Sequence, residues 1–150
     1  MANASGVYGL TVEKMMIDTV SKSIESETDV KAQLIQNAYT PNFDTDAFRS
    51  TTTTNEPGAS GTYAAGGSVL TTTDITPASP AATQEKYATA SPSWTSATIT
   101  ARGLIGYILI GTAGTDMLLW DSDFGADVSS TAGTYTVTTP ANGWWYLDYA

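Results

Sequence analysis

Residues 97–110 constrain the fold of this chain more than any other stretch. From Leu104 to Ile110 nearly every side chain is apolar. An apolar run of this length without alternation is typical of a central β-strand that other parts of the chain cover on both faces. Gly103 and Gly106 indicate a bend or the close approach of a neighbouring segment. We therefore expect the core to be built around this strand.

The stretch that follows predicts the partner of this strand. Residues 112–115, with the sequence Thr-Ala-Gly-Thr, are typical of a hairpin connection, and the partner strand is expected to begin over residues 116–120. A turn is predicted at residues 129–133. Residues 134–138 then alternate two apolar side chains with threonines and predict a half-exposed strand.

The first part of the chain predicts one helix and one strand behind an arm. Residues 1–9 are small and polar, which is typical of a flexible N-terminal arm. Residues 10–26 place apolar side chains three and four positions apart and predict a short helix. Residues 30–38 alternate and predict a half-buried strand.

Residues 43–80 have no clear period. They predict long connections with short strands near residues 61–65 and 68–75, and Pro77 excludes a central strand there. Together, the elements predict a mainly β fold with one short N-terminal helix. We expect an antiparallel β-sandwich or a jelly-roll-like arrangement that forms a single domain over residues 10–150.

The composition excludes several kinds of chemistry. The chain has no cysteine and no histidine, so disulfides, thiolate metal sites and the commonest general base are excluded. Six basic residues against 15 acidic ones give a net charge of −9, which disfavours nucleic acid and anionic membranes as partners. We therefore expect a protein that is not an enzyme and that uses no cofactor.

The rest of the composition is rich in hydroxyl groups and aromatic rings. There are 26 threonines and 14 serines beside 4 tryptophans and 8 tyrosines, and threonine and aromatic side chains favour strands. The first nine residues lack the basic and apolar regions of a secretory signal. We therefore expect the protein to fold and assemble in the cytoplasm.

Four acidic residues lie close together in the sequence: Asp116, Asp121, Asp123 and Asp127. A calcium loop of the helix–loop–helix type needs an oxygen ligand at position 5, glycine at position 6 and glutamate at position 12. Counted from Asp121, these positions hold Gly125, Ala126 and Ala132, so the pattern fails. We expect solvated acids beside a turn and no metal site.

The chain ends in aromatic residues after the tight-turn signal Asn142-Gly143. They are Trp144, Trp145, Tyr146 and Tyr149. On a strand, Trp144 and Tyr146 would face one side, and Trp145 and Leu147 the other. We favour core or subunit contact for these four candidates over a platform that stacks sugars or bases. No catalytic, cofactor-binding or metal-binding residue is predicted.

The order of several short motifs resembles a known family. The motifs are Ala38-Tyr39-Thr40-Pro41-Asn42, Asn55-Glu56, Gly61-Thr62-Tyr63-Ala64-Ala65-Gly66-Gly67, Trp94-Thr95, Ala97-Thr98-Ile99-Thr100-Ala101-Arg102 and Asp123-Phe124-Gly125-Ala126-Asp127-Val128-Ser129-Ser130. Together they are similar to a family of small structural proteins of tailed bacteriophages. The resemblance implies a component of the virion.

The resemblance leaves the position in the virion open. A capsid decoration (cement) protein ranks first, and it would bind the major capsid protein on the shell exterior as a homo-oligomer, with a trimer favoured. A tail, neck or fibre protein ranks second, and a carbohydrate-binding module ranks third. In the virion roles, the protein would assemble in the cytoplasm of the host bacterium, without nucleic acid or membrane as a partner.

Overall fold

The computed structural model describes residues 5–16, 24, 29–77 and 84–148. Within these ranges the chain forms eight strands, one helix and two short 3-10 turns. The elements are β1 (Gly6–Val7), α1 (Gly9–Met16), β2 (Val30–Ile35), the 3-10 turns Arg49–Thr51 and Thr53–Asn55, β3 (Ser68–Val69), β4 (Thr72–Pro77), β5 (Gln84–Thr89), β6 (Ser93–Ile108), β7 (Met117–Thr136) and β8 (Trp145–Asp148). The prediction of a mainly β fold with antiparallel sheets and one helix is confirmed.

The larger layer is a five-stranded sheet in the order β1-β7-β6-β2-β3. Its centre is the long hairpin of β6 and β7, which runs from the pairing of Ile108 with Met117 to the pairing of Ser93 with Thr136. On its other side, β6 pairs with β2 over residues 103–108. The apolar strand predicted from the sequence is therefore the central strand of the sheet.

The smaller layer is a three-stranded sheet in the order β4-β5-β8. β4 contains Pro77 and lies at an edge, where a missing N–H costs no ladder bond. Tyr87 of β5 contacts Trp120 of β7, with 5.5 Å between the ring centroids. Because both residues belong to one buried apolar cluster, the two sheets share a core in the manner of a sandwich.

The prediction of a flexible arm over residues 1–9 is wrong for residues 6–8. Gly6 pairs with Asp121 across β1 and β7, and Tyr8 is fully buried. The Tyr8 hydroxyl lies 2.9 Å from that of Tyr39. Burial of a tyrosine ring with its hydroxyl bonded is enough to hold this short segment on the sheet. Residues 1–4 lie outside the described part of the chain.

The predicted helix at residues 10–26 begins one residue earlier, at Gly9, and is described as far as Met16. Apart from Ile24, the remainder of that prediction lies outside the described residues. The Thr11 hydroxyl donates to the carbonyl oxygen of Leu118 on β7. This bond and the buried Tyr8 fix the start of α1 against the larger sheet.

β2 is more buried than its alternation predicts, so the expectation of a half-buried strand is wrong. Leu34 faces the core between the sheets, but Gln33 and Ile35 on the other face are also fully buried. Thr52, between the two 3-10 turns, covers Gln33, and Ile35 packs in a second buried cluster with Tyr8 and Tyr39. The Gln33 Nε2 amide donates to the Thr52 hydroxyl at 2.6 Å.

β7 also differs from its prediction. Residues 129–133 do not form a turn, because Ser129 and Ser130 continue the pairing with β6. The pairing here is irregular: the register shifts on both sides of Ala97, and φ is positive at Ser96 (53°) and Ala132 (47°). The alternation predicted beyond this point is confirmed, since Tyr135 and Val137 are buried between exposed threonines.

Candidate interaction surface

The β6–β7 hairpin extends well past the strands that flank it. β2 pairs with β6 only over residues 103–108, and β1 pairs with β7 only at Trp120 and Asp121. The remaining part is called the distal hairpin here and consists of residues 93–102 of β6 and residues 123–136 of β7. Its two outer edges have different environments.

The outer edge of β6 in the distal hairpin is covered by the loop around residue 61. The Thr62 N–H donates to the Thr95 carbonyl oxygen at 3.0 Å, and the Thr95 N–H donates to the Thr62 hydroxyl at 2.8 Å. The Ser60 hydroxyl accepts from the Thr98 N–H at 2.8 Å. Gly61 lies so close to the Thr95 carbonyl that no side chain fits there.

The outer edge of β7, as far as the described residues extend, is open. No described strand pairs with it between residues 124 and 136. Within this edge, Gly125 (φ 78°) and Ala132 (φ 47°) have positive φ. The pairing with β6 is interrupted between Asp123 and Val128 and between Ser130 and Gly133, so residues 128–130 are the regular segment. Most of that segment is exposed. The edge of a sheet exposes main-chain N–H and C=O groups that can bond to another strand.

An apolar groove of about 320 Å³ lies along the open edge. Its walls include Phe124, Val128, Tyr135 and Val137. Val128 is 46% exposed and belongs to the apolar lining of this groove. Burial is the main cause that raises the pKa of Tyr135 to about 12, and the negative charge of Asp127 adds to it. The Tyr135 side of the groove is therefore neutral at ordinary pH.

The charge of the open edge comes from one residue. Asp123 accepts from the Arg102 Nε at 2.7 Å, and both side chains are mostly buried, so its charge is compensated. Asp127 is exposed and forms no ion pair with the residues described here. The edge therefore presents a single uncompensated negative charge among hydroxyl, methyl and glycine positions.

The four acidic residues do not behave as predicted. Asp116 and Asp121 are buried, so the expectation of solvated acids is wrong for both. The Asp116 carboxylate accepts from the Arg49 Nε at 3.1 Å and from the N–H groups of Ile110 and Gly111. Asp116 thus organises the hairpin loop. The described residues contain no group of three or more side chains that could hold a metal ion.

The C-terminal aromatic residues lie on the second sheet and the turn before it. Trp144 stacks on Trp120, with 5.8 Å between centroids, and Trp145 stacks on Tyr87 at 5.7 Å. Both pack against the shared core. Tyr146 is 53% exposed. Tyr149 lies outside the described residues.

The predicted division of Trp144 and Trp145 between two faces is wrong. Trp144 precedes β8 and follows Gly143, whose φ is 75°, so strand alternation does not apply to it. The Gly143 turn itself is confirmed, and its N–H donates to the Pro140 carbonyl oxygen at 2.9 Å.

The open edge of β7 was not identified from the sequence. Residues 126–131 are rich in small and hydroxylated side chains, which predict a turn as readily as a strand. The available signal was the absence of proline and the presence of a single charge across residues 124–136, which is permissive for a strand edge.

No family model, curated protein or solved structure matches this chain. Among the residues described, no helix is long and apolar enough to cross a membrane.

Proposed function

We propose that this protein is a structural protein of a tailed-bacteriophage virion, and specifically a capsid decoration (cement) protein that binds the exterior of the shell and stabilises it. The observation that carries the proposal is the open edge of β7 with the apolar groove beside it. The order of sequence motifs supports the same class of protein.

The edge and the groove suit the addition of an extended strand from another protein. In this mode the main chain provides the hydrogen bonds, and pockets beside the edge select side chains. The groove at Val128 would take an apolar side chain, and Asp127 would favour a lysine or arginine on the added strand. The partner is an extended segment of the major capsid protein, which occurs at many equivalent positions on a closed shell.

Self-association would increase the apparent affinity of this protein for the shell. A homo-oligomer, with a trimer favoured, matches the three-fold positions of an icosahedral shell. Once one subunit of a trimer has docked, the others bind at a high effective concentration, so each contact can be weak. The net charge of −9 is compatible with the shell exterior and disfavours a position around packaged DNA.

The location is tested by counting copies on purified heads that lack tails, with quantitative mass spectrometry. Decoration predicts on the order of hundreds of copies per head, and heads that lack the protein should lose their DNA at a lower temperature. A few copies, or loss of the protein together with the tails, would overturn the decoration role and favour a tail, neck or fibre protein.

The docking surface is tested with purified shells that lack the protein. Val128→Lys should weaken shell binding by at least about tenfold, because a lysine at an exposed edge position blocks strand addition and the apolar contact. The matched control is Ile110→Lys, at the opposite end of the hairpin, where the side chain is 36% exposed. Equal binding by both variants would exclude the β7 edge as the docking surface.

A further inference from the structure

A second surface lies at the junction of the two sheets, away from the distal hairpin. It is a cleft of about 310 Å³. One wall consists of residues 5–7 with Asp121 and Ser122 of the larger sheet, and the other consists of residues 142–146. The volume falls at the lower end of the range for small-molecule sites, which suits a ligand the size of one sugar ring.

The aromatic wall of this cleft is held in place from behind. The Trp144 ring lies at 19° to the Trp120 ring, and its Nε1 donates to the Thr89 hydroxyl at 2.8 Å. The Trp145 ring lies at 15° to that of Tyr87. Rings fixed in this way lose little conformational freedom when a ligand binds.

Tyr146 also lines the cleft and carries an accessible ring. It is 53% exposed, whereas the other large aromatic side chains described are partly or fully buried. Half of its surface is thus available for contact with the C–H groups of a ligand. Because Tyr146 lies on β8, which pairs with β5, the position of the ring is set by the sheet.

The polar groups of the cleft select the charge of the ligand. Asp121 borders the cleft with a side chain that is only 2% exposed, and among the described residues no lysine or arginine lines the cleft. An anionic ligand would therefore be repelled by the charge of Asp121, while neutral polar groups would be accepted. Phosphates, nucleotides and acidic sugars are disfavoured by this arrangement.

The cleft also offers hydrogen-bond donors. The exposed Asn142 and the partly exposed Ser122 carry an amide and a hydroxyl, and each can both donate and accept. The indole N–H of Trp145 is buried and meets no acceptor among the described residues. A basic side chain of a partner protein only donates hydrogen bonds, so it could bond only to the acceptors of the cleft. A sugar hydroxyl both donates and accepts, so it can bond to the acceptors and the donors.

We propose that this cleft binds one neutral pyranose unit of a glycan. The apolar face of the sugar would lie against the exposed ring of Tyr146, and its hydroxyl groups would bond to Asn142 and Ser122. This binding site is independent of the shell-docking edge, so it stands whether or not the protein decorates a capsid.

The test is calorimetric or NMR titration of the full chain with glucose, galactose, mannose, N-acetylglucosamine and rhamnose, and with sialic acid as an anionic probe. At least one neutral sugar should bind saturably, and sialic acid should not. Tyr146→Ala should weaken binding by about tenfold, the size expected for the loss of one aromatic contact. Because Tyr146 is half-exposed, the variant should fold normally.

The control is Val128→Ala, which removes an exposed apolar side chain at the other surface and should leave sugar binding unchanged. Asn142→Ala provides a second variant at an exposed position and should also weaken binding. Three outcomes would overturn the proposal: binding of no neutral sugar, unchanged binding in both cleft variants, or preferential binding of N-acetylarginine amide, which would identify a site for a basic side chain.

Discussion

The indole ring of Trp120 lies over Gly106, its partner across the β6–β7 pairing, and a Cβ at residue 106 would overlap the six-membered ring. Trp120 is fully buried and contacts Trp144 and Tyr87. Because Gly106 has no side chain, the Trp120 ring fits between the sheets, where it contacts the aromatic rings next to it. The close approach predicted at Gly106 from the sequence is confirmed.

Replacing this glycine should weaken the junction between the sheets. Gly106→Ala forces the Trp120 ring to move, and overpacking of this kind destabilises by about 1–3 kcal/mol. Urea unfolding followed by tryptophan fluorescence measures the effect. The control is Gly114→Ala in the hairpin loop, where a Cβ meets no atom within 4 Å and stability should change by less than about 0.5 kcal/mol. Equal stability of the two variants would contradict the packing described.

Asp116 should be important for stability, although it is far from both proposed binding surfaces. Asp116→Ala leaves Arg49 and two partly buried N–H groups without their acceptor, and breaking a buried ion pair in this way costs about 3–5 kcal/mol. Asp127→Ala removes an exposed carboxylate and should change the unfolding free energy by less than about 0.5 kcal/mol. Comparable losses in the two variants would show that Asp116 is not the anchor of the loop.

Stability should fall at alkaline pH because several tyrosines are buried. Burial raises the pKa of Tyr107 to about 12 from the ordinary value of 10.0, and it raises the pKa of four others: Tyr8, Tyr39, Tyr63 and Tyr135. A group with a raised pKa contributes stability that is complete below its unfolded pKa and is lost as the pH rises through the folded value. Unfolding free energy should therefore decrease between pH 10 and about 12.

The measurement is urea unfolding across this pH range, with tyrosinate absorbance recorded in parallel. Tyr135→Phe keeps the ring and removes the ionisable hydroxyl, so its stability should fall less steeply than that of the unmodified protein. If all tyrosines ionised near their ordinary pKa without unfolding, the burial of these hydroxyls would be contradicted.

Chelation of metal ions should not affect the fold. Two of the four clustered acids already have cationic partners, since Asp116 pairs with Arg49 and Asp123 with Arg102. Thermal unfolding curves with and without excess EDTA are expected to superimpose. A decrease of several degrees in Tm on chelation would instead indicate that a bound ion contributes to stability.

Strong apolar patterns predicted the central elements of the fold correctly. The apolar run is buried through Ile108, where β6 ends, whereas Ile110 is exposed. Asn142-Gly143 suits a backbone with positive φ, so both predictions rest on local chemistry. The burial of Gln33 could not be predicted in this way. It depends on Thr52, which approaches from a segment with no period of its own.

The candidate surfaces depend even more on distant parts of the chain. Residues 128–130 form a regular strand because β6 provides a partner, and among the described residues β1 pairs with β7 only at Trp120 and Asp121. The sugar cleft brings Asp121 next to residues 142–146. Neither the edge of β7 nor the cleft can be predicted from a short stretch of sequence, because each depends on residues that are distant in the chain.

The length of the β6–β7 hairpin determines the order in which the chain can fold. Ile108 and Met117 are joined by a short loop and can pair early. Ser93 and Thr136 are 43 residues apart, so they pair only after the residues nearer the loop have formed their hydrogen bonds. We therefore expect the distal hairpin to form last. A newly made subunit would then complete the distal hairpin, and with it the outer edge of β7, only in the last step of folding.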